Sequence, residues 1–159
     1  MRGLLEGMRE AGYAVDLEVV RAGVNESDDD GVLVSPDEAR AFAHAQAQDA
    51  RLDAVRKTAG DAALVEAFNA IPFDPPAQDL ASRKWCCFLL GRLLQHLDGD
   101  PVEALIQIEG FWIEWHYPGP HGAIVGDRWQ KADQTLKDVL AINSAWLEAE
   151  RAAILATQG

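Results

Sequence analysis

The chain has few cysteines, and their position excludes one class of protein. It has only two, Cys86 and Cys87, which are adjacent. Neighbouring cysteines do not easily bridge each other, so a disulfide framework within one chain is excluded. We expect both thiols to behave as small apolar side chains in a reducing compartment.

Basic residues are also scarce. The chain carries 14 lysines and arginines against 26 aspartates and glutamates, a net charge of −12. Such a field repels a phosphate backbone and an anionic membrane, so neither nucleic acid nor membrane is an expected partner. A basic protein is the natural electrostatic complement. The alternative is that the acidity only maintains solubility.

Several functional signals are missing from the sequence. No apolar run reaches the 18 residues of a membrane-spanning helix. The N-terminal MRGLLEGMREAGY has no secretory signal pattern, so we expect a cytoplasmic protein. No G-x-S-x-G motif occurs, and neither cysteine has a recognisable base partner. We therefore predict no catalytic residues, no metal and no cofactor.

Apolar periodicity predicts a single all-α domain over residues 1–159, an irregular antiparallel bundle of five or six helices. Its centre is the helix at 78–97, because the run at 85–90 is apolar on every side. Residues 13–20 fit either a strand or a helix, and we favour a helix. Residues 21–31 are predicted to be an acidic loop and 72–76 an extended connector. The other predicted helices span 1–12, 36–58, 63–71, 101–115 and 128–156.

Two helix starts carry a complete signature. Ser35 precedes Pro36, and Glu38 follows three residues after the serine, which predicts a capping box. Asp100, Pro101 and Glu103 repeat the arrangement of cap, proline and acid.

Residues 26–37 align with the calcium loop of helix–loop–helix proteins. The alignment departs from that pattern at both ends, since Glu26 stands where aspartate is usual and Asp37 where a bidentate glutamate is usual. The alternative interpretation is an exposed acidic loop that leads into a helix cap.

A second polar group brackets the proline-rich turn after residue 114. Its members are carboxylates and imidazoles, which bind metals and transfer protons. Glu109 interrupts an apolar helix face, so we expect it to point to the interior or a groove. An ion pair would then offset its burial, and the candidate partners are Arg83, Lys84, Arg92 and His96. The loop is bracketed by Glu114, His116, His121 and Asp127, and the possible polar site comprises Glu109, His116, His121 and Asp127.

Tryptophans cluster at the end of the same helix. Trp112, Trp115 and Tyr117 are either core residues or, where exposed, anchors of an interface.

Three segments carry a resemblance to a known family. They are GVLVSPDEARAFA at 31–43, the Lys84-Trp85 pair with Leu89-Leu90, and DPVEALIQIE at 100–109 followed by the Trp112 to Pro118 ending. This order resembles a small all-helical bacterial family of unknown biochemical role. Some of its members sit beside toxin genes and are regarded as immunity proteins. The resemblance implies a binding protein without catalytic residues.

The preferred interpretation is a non-enzymatic, acidic protein-binding domain, an immunity-type inhibitor of a basic toxin. Its predicted partner-binding residues are Asp28, Asp29, Asp30, Glu103, Glu114, Trp115 and Tyr117. Two alternatives stay open. One is a metal-dependent enzyme that uses the 114–127 loop with Glu109 as acid or base. The other is an architectural subunit of a homo-oligomer built through residues 112–117.

Overall fold

The computed structural model describes residues 3–28, 31–72, 74–115 and 131–158. The chain divides into two compact units, residues 1–85 and residues 86–159, with the boundary inside the helix Pro75–Gln95. The described helices are α1 (Leu4–Glu10), α2 (Leu17–Asn25), α3 (Pro36–Ala45), α4 (Asp53–Arg56), α5 (Asp61–Asn69), α6 (Pro75–Gln95), α7 (Pro101–Trp115) and α8 (Ala132–Ala156).

The all-α class is confirmed, but the predicted number of helices is too low. The described ranges hold eight α-helices, where the sequence predicts five or six in the whole chain. A short antiparallel hairpin, β1 (Ser27–Asp28) and β2 (Gly31–Val32), accompanies them, with Ser27 opposite Val32. The antiparallel bundle and the single domain stay predictions. None of the described helices combines the length and apolar character needed to cross a membrane.

The capping signatures act as predicted. Ser35 Oγ accepts the backbone N–H of Glu38 at 3.3 Å, and the Glu38 carboxylate accepts the N–H of Ser35 at 3.2 Å. Asp100 Oδ1 accepts the backbone N–H groups of Val102 and Glu103 at 2.8 and 3.1 Å. These bonds satisfy donors that the first turn of a helix leaves without partners.

The single helix predicted for 36–58 is wrong. It is broken after Ala45, and a 3-10 turn (Ala50–Leu52) separates α3 from α4. Asp49 stabilises the break by accepting the N–H of Arg51 at 3.0 Å. Arg56 then donates to the carbonyl oxygens of Ala43, Gln46 and Asp49 at 3.0–3.1 Å. One guanidinium thus satisfies carbonyls that a continuous helix would have bonded internally.

The acidic loop predicted for 21–31 is also wrong in its first half. Asp16 accepts the N–H of Val19 at 3.0 Å and starts α2, which continues to Asn25. Leu17, Val20 and Val24 are buried at helical spacing, so packing favours the helix. The preference for a helix in 13–20 is correct from Leu17 onward.

The extended connector predicted for 72–76 ends too late, because α6 begins at Pro75. Two prolines are tolerated in the first turn, where no intrahelical bond uses the backbone N–H. Phe73 lies outside the described residues.

The core of the first unit forms where α2 packs against α3 and α5. Trp85 is fully buried there, and its indole N–H donates to the Val19 carbonyl at 2.9 Å. Lys84 is 1% exposed, and its ammonium donates to Asp16 Oδ2 at 2.7 Å and to the Ala14 carbonyl at 2.9 Å. Lys84, one of the four candidate partners of Glu109, thus has its partners within the first unit.

The core of the second unit forms between α7, α8 and the last part of α6. Its buried members are Cys86, Leu90, Leu105, Ile108, Trp112 and Val139. The Trp112 indole N–H donates to Asn143 Oδ1 at 2.8 Å, so the buried amide of α8 is satisfied. Burial, with a smaller effect of Cys87, raises the pKa of Cys86 to about 12, which keeps this thiol protonated.

Candidate protein-binding surface

Helix α7 buries one face and exposes another. Ala104, Leu105, Ile108 and Trp112 form the buried stripe. At about 100° per residue these positions cover roughly a third of the helix circumference. The exposed positions of α7 lie outside this stripe, and Phe111 and Trp115 pack partly buried against the same core.

Two isoleucines lie on the exposed face. Ile106 is 47% exposed and Ile113 is 61% exposed. The three glutamates of the helix, Glu103, Glu109 and Glu114, are also exposed, and α7 contains no lysine or arginine. We call Ile106, Ile113 and these three glutamates the α7 ridge. It combines two exposed apolar side chains with three exposed carboxylates.

The expectation that Glu109 points to the interior or a groove is wrong, since its side chain is exposed. By helical angle Glu109 lies about 40° beyond Leu105, at the edge of the buried stripe rather than within it. An exposed carboxylate retains its hydration and needs no ion pair to offset burial.

The aromatic residues of α7 lie on the side away from the ridge. Trp112 is buried, with its ring edge-on to Trp146 at 5.0 Å between centroids. Trp115 is half-buried and stacks on Phe111 at 6.1 Å. Trp115 is about 100° around the helix from Glu114. The predicted anchor and the predicted carboxylate are thus neighbours in sequence but on different faces.

Several predicted site residues lie outside the described part of the chain. They are Asp29, Asp30, His116, Tyr117, His121 and Asp127. Asp28 is described only through its backbone, which belongs to β1. The polar loop at 114–127 and its metal-dependent alternative are accordingly not tested.

The described part of the calcium-like motif adopts a different local structure. The hairpin occupies its middle, and the Leu33 N–H donates to the Glu26 carbonyl at 3.0 Å. Asp37 lies in the first turn of α3, where its carboxylate accepts from Arg40 at 3.1 Å. Within the described ranges, no three side chains of the metal-binding types converge.

Sequence reasoning missed the two isoleucines of the ridge. A signal for them exists, because Val102, Ile106 and Ile113 recur at spacings of four and seven residues, which places them along one line of a helix. The buried residues Leu105, Ile108 and Trp112 form a second apolar line with similar spacing on the same helix. Which line faces inward depends on how α7 packs against α8, a tertiary property.

The first unit holds a separate pocket of about 290 Å³ with both polar and apolar lining. Its polar lining comes from Arg21, Asn25, Glu26, Asn69, Gln78 and Ser82. The two asparagines bond each other, with amide nitrogen to oxygen distances of 2.9 and 3.0 Å. These bonds connect α2 to the end of α5, so we interpret the pocket as a structural junction.

A buried ion pair lies beside this pocket. Arg21 donates to the Glu18 carboxylate and, at 3.1 Å, to the Ile71 carbonyl. Burial raises the pKa of Glu18 above its ordinary value of 4.5, although Arg21 acts in the opposite direction. The folded protein therefore retains a proton on Glu18 at pH values where the unfolded chain has lost it.

This shift predicts a pH-dependent effect of Glu18→Gln. A raised pKa means that the contribution of Glu18 to stability decreases as the pH rises from 4.5 through the folded-state pKa. Glutamine does not titrate. The free energy of unfolding of the variant should therefore increase relative to that of the parent as the pH rises through that window. Urea unfolding at a series of pH values measures the difference. Glu66→Gln, at an exposed position of α5, is the control, and a difference that falls with pH would contradict the assignment.

Comparison of the chain with protein-family models, curated proteins and solved structures finds no match. The resemblance to the bacterial immunity-type family stays a prediction based on the sequence segments alone.

Proposed function

We propose that this chain is a non-enzymatic protein-binding domain that recognises a basic partner, in the manner of an immunity-type inhibitor of a basic toxin. The single observation that supports this most is the exposed side of α7, where Glu103, Glu109 and Glu114 occur with no basic residue in the helix. The chain as a whole is also negatively charged, with a net charge of −12.

The electrostatic part of the mechanism follows from this charge. An acidic protein and a basic partner attract over roughly a Debye length, about 10 Å at 0.1 M salt. That attraction speeds encounter and orients the partner before contact. In the proposed mechanism inhibition comes from occupying the basic surface of the toxin, a binding step without a cofactor or bond-making.

The structure changes the role of one predicted partner-binding residue, Trp115. Glu103 and Glu114 stay in the proposal, since both are exposed. Trp115 is half-buried against the core of the second unit, and it does not share a face with them. Asp28, Asp29, Asp30 and Tyr117 remain proposed contacts.

The test is binding to purified basic proteins encoded beside the gene for this chain, by calorimetry at low and high salt. We expect a complex that weakens as salt increases. The charge variant Glu103→Gln/Glu114→Gln should weaken it by about tenfold and reduce its salt dependence.

A matched control removes two carboxylates from α8 instead. Asp133→Asn/Glu148→Gln changes the net charge equally at exposed positions. Equal losses in the two double variants would show that only the overall charge matters. Absence of a complex with every candidate at low salt would refute the proposed function.

A further inference from the structure

We propose that the α7 ridge is a docking site for a basic amphipathic helix of the partner protein. This inference rests on the proposed function and specifies the chemistry of the partner. Ile106, Ile113 and the three glutamates of the ridge are the residues on which the inference depends.

The geometry of the ridge sets the spacing of the partner's anchors. Ile106 and Ile113 are seven residues apart, which is about 10 Å along the helix axis at 1.5 Å per residue. A helix that lies along α7 presents side chains at the same separation when they are at positions i and i+7. Two apolar residues seven positions apart would therefore contact both isoleucines.

The glutamates flank the isoleucines on both sides. On a helical projection Glu109 lies about 50° to one side of the Ile106–Ile113 line, and Glu103 and Glu114 lie about 70–90° to the other. A partner helix with lysines or arginines on both sides of its apolar line would pair with all three. Charge pairing at the rim fixes orientation, while the desolvated apolar centre supplies most of the affinity.

The same charges argue against a second copy of this chain as the occupant. Two α7 ridges facing each other would bring six carboxylates together without a lysine or arginine from either α7. Like charges in such contact disfavour association. The apolar exposure and the charge together favour a basic partner helix over self-association.

The test uses the full chain and two fluorescent synthetic peptides of about 18 residues, long enough to cover both anchors at 1.5 Å per residue. One is a helix-forming lysine–alanine sequence with two leucines seven positions apart. The other is a scrambled peptide of identical composition and charge. We expect the patterned peptide to bind about tenfold more tightly in fluorescence anisotropy, since only it aligns apolar anchors.

Variants of the chain show which residues cause the tighter binding of the patterned peptide. Ile106→Gln/Ile113→Gln should abolish it, and Ile113→Gln alone should reduce it if the double variant folds poorly. Ile142→Gln on α8 is the matched control, because Ile142 is 49% exposed, and it should leave the preference unchanged. Circular dichroism confirms that each variant is folded.

Each outcome decides the proposal. Equal, salt-sensitive binding of both peptides would overturn helix docking and leave the proposed function standing. A preference that survives Ile106→Gln/Ile113→Gln, or no binding of either peptide, would also overturn it. Sedimentation showing a dimer that these substitutions dissociate would assign the ridge to a second copy instead. A preference located at the ridge, without a complex with any neighbouring gene product, would support docking and refute the immunity role.

Discussion

Gly23→Ala should destabilise the protein by about 2 kcal/mol or more, the cost of overpacking a close-packed core. A Cβ atom added at Gly23 would lie 2.8 Å from Trp85 Cζ2 and closer than van der Waals contact to Val34 Cγ2. Neither neighbour can move freely. The Val34 N–H donates to the Gly23 carbonyl at 2.9 Å, and the Trp85 indole is bonded to the Val19 carbonyl.

Helix propensity alone predicts that Gly23→Ala stabilises the protein. Alanine is better than glycine in a helix interior by about 1 kcal/mol. Gly110→Ala in α7 provides the control, because nothing lies within 4 Å of a Cβ atom added there. We expect this variant to be slightly more stable than the parent.

Thermal and urea unfolding of the two variants measure the contrast. For a chain of this size, 2 kcal/mol corresponds to a fall in Tm of roughly 4–8 °C. If Gly23→Ala unfolds at the same temperature as Gly110→Ala, the close packing of Val34 and Trp85 around Gly23 is wrong.

The parts of the fold that sequence predicts well depend on contacts within a few residues. The capping box at Ser35 and the cap at Asp100 are made by side chains two or three positions from their partners. Gly12 also acts locally, since its φ of 90° ends the first helical segment in the left-handed region. The burial of Trp85 to Phe88 and of Leu90 follows equally from a run without polar residues, in which Leu89 is half-buried.

The parts that sequence does not predict depend on contacts between distant segments. The break after Ala45 is stabilised by Arg56, whose side chain a linear pattern would place on a solvated face. The inward orientation of Lys84 requires Asp16, which is 68 residues away in the chain. In the candidate site, the exposure of Ile106 and Ile113 depends on which of two apolar lines of α7 packs against α8.

Asp16→Ala should be strongly destabilising because one carboxylate has two structural roles. Its Oδ1 accepts the N–H of Val19 and caps α2, and its Oδ2 pairs with the ammonium of Lys84. Loss of the cap costs about 1 kcal/mol. Loss of the counter-charge leaves Lys84, 1% exposed, as an unpaired buried cation. The Asp16 side chain is itself 50% exposed, so water partly screens the pair, and we expect a total loss of about 2–4 kcal/mol.

A double-mutant cycle separates these two roles. Lys84→Met retains most of the apolar length of the side chain and removes the charge, so we expect a smaller loss than from Asp16→Ala. In Asp16→Ala/Lys84→Met no charge is left unpaired, and only the cap and the hydrogen bond to Ala14 are missing. The double variant should therefore be more stable than the sum of the single losses predicts, by about 1–3 kcal/mol.

Asp16→Asn, which keeps an oxygen acceptor for the cap, should lose less stability than Asp16→Ala. Additive losses in urea unfolding would mean that Lys84 and Asp16 do not interact, and the ion pair that connects α6 to the start of α2 would have to be abandoned.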